Sequence, residues 1–168
     1  DILEETYFKI TSSKTAALFS AATKVGAILG EKEAKYKEAL EFYGKNIGLT
    51  FQIADDALDY NSDLKSFGKE IGNDFFEGKV TLPIILLYQK ISDSEKTVLK
   101  NLFFKKKRDK EELNYVLNLI KKNNTINDCY KKADHFINLA SNALSVFEDS
   151  KQKKILKNLT TFSIERNY

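Results

Sequence analysis

Residues 40–59 read LEFYGKNIGLTFQIADDALD. Apolar side chains fall at Leu40, Tyr43, Ile47, Phe51, Ala54 and Leu58, the three- and four-residue spacing of a helix with one buried face. Gly44 and Gly48 lie one turn apart inside this pattern. Each costs a helix up to about 1 kcal/mol relative to alanine, so their small size points to close packing against a neighbouring helix. At the far end Gln52, Asp55, Asp56 and Asp59 share one stripe of the helix. The three carboxylates repel one another by up to a few tenths of a kcal/mol per pair, and they sit where the helix is otherwise apolar. A bound cation resolves both problems; a solvated acidic patch is the alternative.

The same period extends in both directions. Ala16, Ala17, Phe19, Ala22, Val25 and Leu29 predict a helix that Lys14 and Thr15 start and Gly30 stops. Further on, Thr81 is placed to cap a helix that tolerates Pro83 in its first turn. Ser92 or Ser94 caps one through Phe103, Asp109 another to about Lys122, and Thr125 or Asn127 begins a third. A last amphipathic piece spans 151–164. Between the central helix and Thr81, Asn61, Gly68, Gly72, Asn73 and Gly78 collect in an irregular loop. A loop of that length inside a compact helical domain is uncommon unless it works. Residues 61–80 are therefore the expected active-site loop of an all-α bundle, with 1–168 as a single domain.

Composition narrows the function classes. The chain has 168 residues and 19.2 kDa, 42% hydrophobic and 30% charged, the balance of one soluble globular domain. No apolar run approaches the ~20 residues of a membrane span. A single cysteine excludes an internal disulfide framework and suits a reducing, cytoplasmic setting. Cys129 is read as a small buried hydrophobe, and His135, the only histidine, as a surface or helix-packing residue without a zinc or nucleophilic constellation. The chain starts at Asp1 and contains no methionine, so it is read as a piece of something longer. Basic residues outnumber acidic ones, 27 to 24. The densest basic run, Lys105 to Arg108, is read as a solvated corner between helices, and no nucleic-acid signature accompanies it.

Downstream of the aspartates come Lys69, Asp74 and Lys79; upstream lie Lys14 and Thr15. Lysines brought over carboxylates that hold Mg²⁺ form the expected apparatus for a diphosphate, with glycine allowing close backbone approach. Lys14-Thr15-Ala16, Tyr43-Gly44, Gly48, Phe51-Gln52, the Asp55–Asp59 run, Gly68-Lys69, Gly72, Asp74 and Glu77–Pro83 together resemble the trans-isoprenyl (polyprenyl) diphosphate synthases. They match that family's second aspartate-rich motif and its flanks in order and spacing, closely from Tyr7 to Leu87.

The resemblance implies the all-α isoprenoid synthase fold. It also implies condensation of an allylic diphosphate with isopentenyl diphosphate, with Mg²⁺ assisting departure of the diphosphate. By this likeness Asp55 is the main metal ligand, and Asp56 and Asp59 are direct or water-mediated partners. Lys14, Lys69 and Lys79 hold the allylic diphosphate. Thr15 and Gln52 stabilise developing charge, and Phe51 lies against the isopentenyl group. The likeness leans toward enzymes making long-chain quinone side chains. It further implies a homodimer in the complete enzyme, and peripheral membrane contact through a lipid product.

One departure qualifies this reading. The family's first DDxxD motif, and the basic residues that bind isopentenyl diphosphate, have no counterpart in the chain. It is therefore expected to be the C-terminal portion of a synthase, without the N-terminal helices and inactive by itself. The alternative is a non-catalytic or regulatory subunit of the same fold, paired with a catalytic partner.

Overall fold

The computed structural model describes residues 3–61 and 71–162. Every regular element among them is helical: α1 (Glu4–Thr11), a π-helical turn (Ser12–Ala16), α2 (Ala17–Leu29), α3 (Ala34–Asp59), α4 (Asn73–Glu77), α5 (Leu82–Lys90), α6 (Asp93–Phe104), α7 (Lys110–Lys122), α8 (Thr125–Ala143), a 3₁₀ turn (Leu144–Val146) and α9 (Lys151–Phe162). The chain divides into two compact units, one formed by Asp1–Tyr7 with Asp55–Tyr130, the other by Phe8–Ala54 with Lys131–Tyr168. No helix among the described residues is long and apolar enough to cross a membrane.

Local chemistry sets many helix ends. Ser92 and Asp109 each form a reciprocal capping box, with Glu95 and Glu112 respectively, satisfying donors that a helix start otherwise leaves orphaned. Thr81 occupies the N-cap position of α5 but makes no side-chain cap bond, and Pro83 falls in the first turn. The upstream helix differs from expectation. It begins at Glu4, so Lys14 and Thr15 do not start it; they lie on the π turn in its interior. The 61–80 stretch differs too. Residues 62–70, Lys69 among them, fall outside the described residues, while residues 73–77 form α4.

In the second unit the core gathers Tyr43, Ile47, Ala140 and Leu144, with Phe19, Leu40 and Phe147 against them. Here the paired glycines of α3 do their work. A Cβ on Gly48 would stand 2.6 Å from the Ala16 Cα, and one on Gly44 would stand 2.4 Å from the Phe19 carbonyl oxygen. At that approach Thr23 donates to the Leu40 carbonyl (2.6 Å) and Ser20 to that of Glu41 (2.9 Å). The opposite face of α2 is apolar and uncovered: Leu18 is 75% exposed and Leu29 79%, with Val25 and Ile28 between them.

The first unit packs around aromatic and aliphatic side chains of α4 to α7, including Phe75, Leu87, Leu99, Leu113 and Val116, with Tyr60 just past the end of α3. Cys129 is fully buried, as read; His135 is exposed, with its ring 5.5 Å from that of Phe136.

Candidate functional site

The three aspartates at the end of α3 meet three different environments. Asp55 is exposed, with no hydrogen bond or ion pair among the described residues. Asp56 is only 3% exposed, and its Oδ2 accepts a 2.6 Å hydrogen bond from the Tyr7 hydroxyl. A buried carboxylate requires such a donor, because desolvation without one costs several kcal/mol. Asp59 is bound to backbone. Its Oδ1 accepts from the Asn73 N–H (3.1 Å) and its Oδ2 from the Asp74 N–H (2.8 Å). Its carbonyl accepts from the Gly72 N–H at 2.7 Å. Asp59 thus supplies the side-chain cap that α4 lacks at its own N-cap residue, Gly72.

Two left-handed glycines bracket α4, Gly72 (φ +84°) and Gly78 (φ +75°), a conformation costly for residues with a Cβ. The second delivers Lys79, whose N–H donates to the Asp74 carbonyl at 2.8 Å. The Lys79 ammonium is exposed and pairs with Glu77 (2.6 Å) and Asp74 (3.5 Å). The Glu77 bond is the main cause of a pKa raised above the ordinary lysine value. Tyr60 lies buried beside this acidic turn. Burial first, then the charges of Asp59, Asp74 and Asp56, push its phenol well above 10.

In the second unit, Lys14 and Thr15 share the π turn, a distortion frequent at functional sites. The Thr15 hydroxyl donates to the Gln52 Oε1 at 2.8 Å, and the Phe51 ring stands 5.5 Å from that of Phe19. Lys14 is exposed. The structure therefore joins Thr15 to Gln52, 37 residues apart, a pairing that helical spacing did not foretell.

As a metal-binding set, the donors are all hard oxygens. Among the described residues no three acidic, histidine or cysteine side chains converge on one point. One open carboxylate fits Mg²⁺ nonetheless, since that ion takes one or two carboxylates and completes its shell with water and phosphate oxygens. Tyr7 is the residue that sequence reasoning missed. Its apolar ring and donor tip suit a buried carboxylate, yet nothing in the sequence links it to a position 49 residues away. Elsewhere in the first unit a cavity of about 630 Å³ is lined by Val80, Ile84, Ile85, Leu99 and Phe103, with Lys96 and Lys100.

Residues 1–120 match the family model described as polyprenyl synthetase. The chain is 34% identical, over its full length, to 51% of a short chain isoprenyl diphosphate synthase of Methanothermobacter thermautotrophicus. Among solved structures, a decaprenyl diphosphate synthase from Rhodobacter capsulatus superposes with a TM-score of 0.91 at 33% identity, over 99% of this chain and 51% of that one. A polyprenyl synthase from Caulobacter crescentus, complexed with calcium and isoprenyl diphosphate, gives 0.92 at 31% identity, over 100% and 51%. The chain spans about half the length of the curated relatives it matches. With a family model matched over most of its length and an all-α architecture shared with these solved structures, this chain belongs to the polyprenyl synthetase family.

Proposed function

We propose that the chain is the part of a prenyltransferase that receives the allylic diphosphate. The complete enzyme would condense it with isopentenyl diphosphate into a longer, long-chain polyprenyl diphosphate. The observation that carries this reading is Asp55, an open carboxylate beside two committed ones on a motif of the synthase family. Asp55 would hold Mg²⁺, whose charge supports the departing diphosphate when bound. Asp56 and Asp59 would act by keeping the end of α3 and the α4 turn in place. Lys79 would exchange Glu77 and Asp74 for phosphate oxygens, and Lys14 and Lys69 would supply further positive charge. Thr15 would orient the Gln52 amide toward the allylic substrate, and Phe51 would offer an apolar wall to the isopentenyl group. The homodimer and the peripheral membrane contact of the complete enzyme belong to the same proposal.

Calorimetric titration of inorganic diphosphate into the chain tests this reading, with Mg²⁺ and then with a chelator. Binding that needs Mg²⁺ and is lost in Asp55→Ala supports it. Binding indifferent to both, or none at all, would leave a non-catalytic subunit of the same fold. Incorporation of labelled isopentenyl diphosphate by the chain alone is expected to be absent, because it holds a single acidic motif of the DDxxD type.

A further inference from the structure

Lys105, Lys106 and Lys107 are exposed, as a solvated corner requires, but Arg108 is drawn in against the α4 turn. Its Nη1 donates to the Phe76 carbonyl at 3.3 Å and its Nη2 to the Phe103 carbonyl at 2.6 Å. The guanidinium carbon lies 5.8 Å from the Phe75 ring centre and 5.4 Å from that of Phe103. Gly78 rests on the same group: a Cβ there would stand 2.7 Å from Nη2. One guanidinium therefore ties the carboxyl ends of α4 and α6 together and closes over the glycine that delivers Lys79.

The chemistry of this contact is unusual for a purely stabilising one. Among the described residues Arg108 has no carboxylate partner, and its Nε is buried without a hydrogen-bond acceptor. An apolar side chain of similar volume would fill the same space without that desolvation cost. What an apolar side chain lacks is the rigid fork that grips two carbonyls at once.

We infer that Arg108 is a positioning residue for Lys79: it fixes the Gly78–Lys79 backbone so that the ammonium meets a bound diphosphate, without touching the ligand itself. The inference rests on the diphosphate-binding role proposed for Lys79. Glycine is the most permissive residue in the chain's menu, so an unclamped Gly78 would leave Lys79 to be ordered at the moment of binding, a cost that appears as lost affinity.

A double-mutant cycle on the full chain tests this, with inorganic diphosphate and excess Mg²⁺ as the probe. Lys79→Ala is expected to weaken binding about tenfold. Arg108→Lys keeps the charge but loses the fork, and should weaken binding about fivefold. In the Lys79→Ala background, Arg108→Lys should change affinity by less than about twofold, because the two act through one group. Amide exchange at Gly78 and Lys79 should rise about tenfold in Arg108→Lys while Val116 in α7 stays unchanged. Equal weakening with and without Lys79 would overturn the inference, as would unaltered exchange at Gly78 and Lys79. If the unaltered chain binds no diphosphate, or Lys79→Ala has no effect, the role of Lys79 fails and takes the inference with it. Altered exchange in that case marks Arg108 as structural only. Should Arg108→Lys not fold, Gly78→Ala presses on the same contact from the other side and is held to the same non-additivity.

Discussion

Replacing Asp59 and Asp55 separately by alanine divides the motif into a structural and a binding half. Asp59 serves two backbone amides of α4 with its carboxylate, at 3.1 and 2.8 Å. Losing a helix N-cap costs about 0.5–2 kcal/mol. Both bonds here are charge-assisted and one is part-buried, which places Asp59→Ala at about 1.5–2 kcal/mol. For a chain of this size that is a fall of about 3–8 °C in unfolding midpoint. Asp59→Asn keeps one acceptor oxygen and should lose about half as much. Asp55 has no such partners, and its charge repels Asp59 one turn on, so Asp55→Ala should leave stability within about 0.5 kcal/mol, on the stabilising side. Thermal and urea unfolding followed by circular dichroism, beside the diphosphate titration, measures both effects. Asp55→Ala should abolish Mg²⁺-dependent binding in a fully stable protein. A destabilised Asp55→Ala, or an Asp59→Ala as stable as the parent, would refute the division.

Three other outcomes follow from the same geometry. Gly48→Ala places a methyl 2.6 Å from the Ala16 Cα and should cost about 1–3 kcal/mol in urea unfolding, as overpacking against backbone does. Tyr7→Phe removes the 2.6 Å donor to the buried Asp56 and should cost about 1.5–3 kcal/mol, the range for bonds to charged groups, on the same measurement. The capping-box carboxylates respond to acid. The Ser92 backbone bond first, and then its side chain, lowers the Glu95 pKa, while Lys105 followed by the Asp109 backbone lowers that of Glu112. Their contribution is complete above the ordinary glutamate value of 4.5 and is lost as pH falls below it through the lowered values. Glu95→Gln with Glu112→Gln should flatten the stability profile on that acid limb, read by thermal melts across the range.

The synthase likeness and the helical architecture were present in short-range chemistry. The capping boxes at Ser92 and Asp109 close between residues three apart, and the buried face of α3 repeats every three or four residues, so both are written in adjacent positions. Gly44 and Gly48 announced a close helix contact for the same reason, although only the fold names Ala16 and Phe19 as what they meet.

The chemistry of the aspartates was not local. Helical spacing by itself makes Asp55, Asp56 and Asp59 look alike, and only the family resemblance set Asp55 apart as the main ligand. Tertiary structure separates them, because Tyr7 comes from 49 residues away to Asp56 and the amides of α4 come from 14 and 15 residues away to Asp59. The π turn under Lys14 and Thr15, and the fork of Arg108 inside an otherwise solvated lysine run, are of the same kind. A charge's surroundings depend on which distant donors the fold carries to it, and desolvation with hydrogen bonding outweighs the few tenths of a kcal/mol by which neighbours on a helix influence one another. The sequence by itself thus determined the helical architecture, the family and the oxygen-donor character of the α3 stripe; the tertiary structure decided which distant donors engage Asp56 and Asp59 while Asp55 stays exposed.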